Sequence, residues 1–191
     1  FRRVLFRSEM QSVEHYFEMI GRKTAALISG SVESGAILAT DDEATIDAFR
    51  RFGWALGLAF QLNDDLLGIW GDEAATGKKP TDLARHKKTL PVLYAFERAE
   101  GSDRETLTRI YATAEPAADL LMAGLEVLER LGAREYTRGE ALAWRQRALD
   151  EIRSVKALNP QALQRLEEIM TKGISARSEE HTSELQSRFG I

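Results

Sequence analysis

Apolar residues recur at three- and four-residue spacing along almost the whole chain, from about position 12 to position 173. No run alternates apolar and polar residues between turn residues, as a half-buried strand requires. The pattern predicts an all-α fold. A first helical stretch covers Ser12–Ala39, and a second runs from a cap at Asp41 or Asp42 to about Trp70. Gly71–His86 is rich in Gly, Lys, Thr and Asp, carries Pro80, and reads as a loop with room for one turn. Thr89 stands as the cap of the next helix, with Pro91 in its first turn, where a missing N–H is harmless. Four more helices are predicted near 102–114, 116–131, 134–157 and 160–173. Pro116 and Pro160 mark starts, and Gly132 follows an end.

The stretch Phe52–Trp70, FGWALGLAFQLNDDLLGIW, differs from the rest. It is apolar almost all round, with Trp54, Leu58, Leu62, Leu66 and Ile69 on one side and Leu56, Phe60, Leu67 and Trp70 on another. Such a helix is buried. Asp64 and Asp65 within it argue against a membrane span, because intramembrane carboxylates are costly. The predicted place is therefore the centre of a bundle. One line along it is odd: Gly53, Gly57, Gln61, Asp64 and Gly68 fall on a single face. That face suits either of two roles. It is a groove for close helix packing with its aspartates near water, or a cavity wall that ends in carboxylates and meets a cation.

Composition narrows the chemistry. The 191 residues hold 26 Lys and Arg against 30 Asp and Glu, a formal charge of −4, and no cysteine. These values exclude a disulfide-stapled domain and binding to nucleic acid by bulk positive charge. With 43% hydrophobic residues the chain has enough apolar material for a real core, so it is not a disordered sequence. Lys23 and Thr24 open a nearly uncharged run, KTAALISGSVESGAILA, while Lys78, Lys79, Lys87 and Lys88 follow the aspartates in GDEAATGKKPTDLARHKKTLP. Carboxylates and lysines around one cavity suit an anionic ligand. Mg²⁺ takes one or two carboxylates and leaves its other positions to water and phosphate oxygens, and lysines neutralise the remaining charge. His15 and His86 read as solvated, Trp144 with Leu142 and Leu149 reads as core, and Glu126–Arg153 reads as a solvated face with i,i+4 pairs.

Both termini read as foreign. Arg177–Ser187, RSEEHTSELQS, translates a common sequencing adapter, and the reverse complement of its first eight codons translates to FRRVLFRS, the sequence of Phe1–Ser8. Residues 1–8 and 177–191 are therefore expected to be adapter-derived, leaving 9–176 as the informative segment.

Three blocks resemble the isoprenyl (polyprenyl) diphosphate synthases. They are YFEMIGRKTAALISGSVESGAIL, AFQLNDDLLGIWGDEAATGKKPTDL and KKTLPVLYA, in the family's order and spacing over about Tyr16–Ala95. The resemblance implies an isoprenoid-synthase-type helical bundle, incomplete here because its N-terminal helices and first aspartate-rich motif are missing. It implies that Lys23 and Thr24 contact an allylic diphosphate and that Gln61 lies beside the reacting carbons. Asp64 becomes a direct Mg²⁺ ligand, and Asp65 is placed with the metal as mainly a supporting group. Lys78 and Lys87 hold diphosphate, and Phe60, Gly57, Ala26 and Gly30 line the prenyl cavity. The implied reaction joins an allylic diphosphate to isopentenyl diphosphate, in a homodimer, in the cytoplasm, with no nucleic acid and no transmembrane segment. Gly68 stands where the motif's third aspartate is usual, which removes one carboxylate from the metal side. A terpene cyclase and a non-catalytic subunit of a heteromeric prenyl synthase are the alternatives. An incomplete chain of this kind is expected to be inactive alone.

Overall fold

The structure, a computed structural model, describes residues 12–71, 82–156 and 159–175. It is helical, and the helix ends follow the sequence signals. Helix α1 (Val13–Ile20) is capped by Ser12, whose hydroxyl accepts from the His15 N–H. A π-helical turn, Gly21–Ala25, then leads without a break into α2 (Ala26–Ala39). Helix α3 (Glu43–Trp70) is capped by Asp42, which accepts from the Thr45 N–H at 3.1 Å. The helices α4 (Leu90–Arg98), α5 (Gly101–Ala112), α6 (Ala118–Arg130), α7 (Ala133–Arg153) and α8 (Pro160–Ser175) complete the order. Thr89 occupies the cap position of α4 with Pro91 in the first turn, but its hydroxyl makes no capping bond. Gly132 joins α6 to α7 in a left-handed conformation, φ 71°, that favours glycine.

Helix α3 is the axis of the bundle. At 28 residues it is roughly 42 Å long, and it packs most extensively against α7 and α2. Three apolar clusters follow one another along it. Phe52 and Ala55 meet Ala148, Ile152 and Met170 of α7 and α8. Leu58 and Leu62 meet Tyr16, Ile20, Leu90 and Leu93 of α1 and α4. Ile69 meets Leu83 and the buried faces of α4, α5 and α6. Among the described residues no helix is long and apolar enough to cross a membrane.

The glycines of α3 settle part of the choice left open by the sequence. A Cβ at Gly53 would lie 2.7 Å from the Ser29 Cα, and one at Gly57 would lie 2.6 Å from the Ala25 Cα. Both glycines let backbones touch. Gly57 is therefore a packing residue where α3 meets the π-turn. Gly30 faces open space instead. Leu142 is 50% exposed and so lies outside the core, while Trp144 and Leu149 are half-buried. His15 is exposed on α1. The charged run 126–153 pairs largely beyond i,i+4: Arg130 reaches Asp103, Arg134 reaches Glu129, and Arg153 reaches Glu167.

Candidate active site

The π-turn carries Lys23 and Thr24. Here the N–H of Ala26 bonds to the carbonyl of Gly21, five residues back, so the helix widens by one residue. The Thr24 hydroxyl donates to Gln61 Oε1 of α3 at 3.0 Å, and Gln61 Nε2 donates to Asp65 Oδ1 at 3.2 Å. Asp65 Oδ2 accepts from the Leu90 N–H, the first of α4, at 2.9 Å, and from the Tyr16 hydroxyl of α1 in a very short bond. One carboxylate thus ties α1, α3 and α4 together and reaches the π-turn through Gln61.

Asp64 and Asp65 are neighbours in sequence but not in surroundings. Asp64 is half-buried, on the face of Gln61 and Gly68. Asp65 is rotated about 100° from it, onto the line of Leu58, Leu62 and Ile69, and is only 3% exposed. Burial pushes its carboxyl up to about 6, against the three donors that pull it down. The Tyr16 phenol is raised well above its ordinary value by burial and then by the Asp65 charge, so it stays a donor. With both oxygens hydrogen-bonded, Asp65 is a buried carboxylate shared by three helices, whereas Asp64 lies on the half-buried face beside it.

Residues 82–87 pack against the end of α3. The Asp82 N–H bonds to the Gly68 carbonyl at 3.0 Å, and the Lys87 N–H bonds to the Asp82 carbonyl at 3.0 Å. Asp82, 6% exposed, pairs through Oδ1 with Lys87 Nζ at 2.6 Å. Its carboxylate fills the space that a side chain at position 68 would need: a Cβ on Gly68 would run into it. The Asp82 carboxylate thus excludes a side chain at position 68. Tyr111 of α5 donates to the Lys87 carbonyl at 2.6 Å, and burial, with the nearby Asp82 charge, raises its phenol. His86, at φ 56°, is half-buried with its ring against Tyr111, and not a solvated loop residue.

The remaining residues named from the sequence fall as follows. Lys23 and Lys87 are exposed, as are Ala26 and Phe60, the latter by 50%. Lys78 and Lys79 lie outside the described residues. Among the described residues no group of three His, Cys, Asp or Glu side chains converges as a ready-made metal cage. Sequence reasoning missed Tyr16 and Asp82 as parts of the site. Tyr16 carries only the i,i+4 spacing to Ile20, which reads as core. Asp82 belongs to the loop and gives no helical signal.

A helical bundle with a π-turn Lys-Thr pair bonded to a glutamine-aspartate cluster on its central helix defines a class of protein. The chain belongs to the polyprenyl synthetase family, which it matches over residues 4–127. It is 42% identical over 130 residues to the short chain isoprenyl diphosphate synthase of Methanothermobacter thermautotrophicus, covering 68% of this chain and 39% of the relative. Among solved structures it resembles geranylgeranyl pyrophosphate synthetase from Pyrococcus horikoshii, with a TM-score of 0.80 and 30% identity over 91% of this chain and 53% of that one. It also resembles polyprenyl synthase from Caulobacter crescentus complexed with calcium and isoprenyl diphosphate, with a TM-score of 0.78 and 30% identity over 93% of this chain and 55% of that one. The chain spans about half, or less, of the length of these proteins.

Proposed function

We propose that residues 9–176 supply the second-motif half of a prenyltransferase that joins an allylic diphosphate to isopentenyl diphosphate, and that the two flanks are adapter-derived. The names of the relatives support this reading. The observation that carries it is the bonded line Thr24–Gln61–Asp65, with Lys23 on the same turn and Asp64 beside it.

The donor set suits a hard cation. Asp64 offers oxygen, the Asp82 carboxylate lies one helical turn further on over Gly68, and neither histidine nor cysteine stands among them. Mg²⁺ held at Asp64 would neutralise the diphosphate and make it a better leaving group. Lys23 and Lys87, both exposed and cationic, bind phosphate oxygens, and Lys78 joins them by resemblance. Phe60 and Ala26 give the prenyl chain an apolar surface that keeps water away. In the reaction the allylic C–O bond breaks, a C–C bond forms to the isopentenyl double bond, and a proton leaves with the released diphosphate. The exposed apolar residues Leu27, Ile37 and Leu38 of α2 are the surface for further helices and for a second protomer.

The test is chain elongation by the complete reading frame, assayed with radiolabelled isopentenyl diphosphate, an allylic diphosphate and Mg²⁺. A product longer by one or more five-carbon units is expected. Conversion of the allylic diphosphate alone to a hydrocarbon would favour a cyclase instead, and no turnover at all would favour a non-catalytic subunit.

A further inference from the structure

The buried network around Asp65 has a direction, and chemistry fixes it. An ionised carboxylate only accepts hydrogen bonds. All three of these partners of Asp65 are donors: the Tyr16 hydroxyl, the Leu90 N–H and the Gln61 amide. Gln61 must then turn its NH₂ toward Asp65 and its carbonyl toward Thr24. Facing a carbonyl, the Thr24 hydroxyl spends its only proton on Gln61, at 3.0 Å. What Thr24 keeps for a bound molecule is its lone pairs.

We propose, resting on the prenyl-transfer reading, that Tyr16 and Asp65 are positioning residues that fix the Gln61 amide and thereby make the Thr24 oxygen an acceptor toward the ligand. The Asp65 charge polarises this chain of hydrogen bonds so that the Thr24 oxygen is the negative end nearest the site. An acceptor there favours the positive charge that develops on the allylic carbons, without presenting a carboxylate that the cation could alkylate. Burial of Asp65 behind Tyr16, Leu90 and Gln61 keeps that nucleophile out of reach. Tyr16 and Asp65 act through Gln61 and Thr24 and touch no substrate themselves.

The complete enzyme separates this role from two others. In Asp65→Asn, the new amide oxygen accepts from Tyr16 and Leu90, and the new NH₂ faces the Gln61 NH₂. Gln61 then flips, and Thr24 becomes a donor toward the ligand. The expected result is a fall in kcat of about a hundredfold or more, with KM for the allylic diphosphate and the Mg²⁺ requirement each within about threefold of wild type. The double variant Gln61→Glu/Asp65→Asn restores an acceptor facing Thr24 and is expected to recover at least about tenfold in kcat over the single variant. Three results would overturn the proposal: kcat restored simply by raising Mg²⁺, which is the behaviour of a metal ligand; a lowered Tm with kcat intact, which is the behaviour of a structural residue; or no recovery in the double variant. Should the wild type itself not elongate a prenyl chain, the prenyl-transfer reading fails. The hydrogen-bond direction is then read from the Gln61 side-chain amide protons by NMR, which are protected in wild type and lose that protection in Asp65→Asn if the proposal holds.

Discussion

At the scale of single residues, the decisive pair is Asp64 and Asp65. Adjacent aspartates in a sequence invite one role for both, yet a helix sends consecutive side chains about 100° apart. Position 65 falls on the stripe of Leu58, Leu62 and Ile69, and that periodicity was available in the sequence as a sign of burial. Tyr16 was not available: nothing in EHYFEMI says that this tyrosine meets a carboxylate 49 positions away. Removing its hydroxyl in Tyr16→Phe leaves the ring in the core but takes a donor from a buried charge. We expect a loss of about 1–2 kcal/mol in unfolding free energy, read by urea denaturation. Unchanged or increased stability would show that the bond contributes nothing. Gly68 illustrates the opposite case. Sequence reasoning reads it as a lost carboxylate, whereas the Asp82 side chain occupies the very space it leaves. That contact comes from a turn whose position only the tertiary fold sets.

At the scale of elements, caps and breakers made most helix boundaries legible. Asp42 caps α3, Pro91 and Pro160 sit in the first turns of α4 and α8, and Gly132 separates α6 from α7. The π-turn at Gly21–Ala25 was not legible, because one extra residue in a helical turn leaves the apolar spacing around it almost unchanged. It matters because it carries the Lys-Thr pair. The contact of this turn and α2 with α3 depends on glycine. Gly57→Ala would press a methyl group into the Ala25 backbone and should destabilise by roughly 1–3 kcal/mol, despite the better helix propensity of alanine. Gly30→Ala, where nothing lies within 4 Å, should instead gain up to about 1 kcal/mol. Thermal or urea unfolding of the two variants reads the difference directly. Equal effects would mean that the π-turn and α3 are not in backbone contact.

At the scale of the whole molecule, the central helix explains why function and fold share residues. The same 28-residue helix supplies core leucines to three clusters and, on one face, Gln61, Asp64 and Gly68. The bundle holds Thr24 against Gln61 from one side and the Asp82–Lys87 pair against Gly68 from the other. Asp64 stands between these two contacts along α3, and on the proposed function a cation bound there would meet a diphosphate held by Lys23 and Lys87. The family was legible from three sequence blocks because their residue types, order and spacing occur together. The bonding that orients them was not, since it joins helices far apart in the chain. The most direct measurement is the initial rate of chain elongation by the complete reading frame, wild type against Asp64→Ala, with both diphosphates and saturating Mg²⁺. Prenyl transfer with Asp64 as the metal carboxylate predicts a loss of at least about a thousandfold; turnover of the variant near the wild-type rate would contradict it.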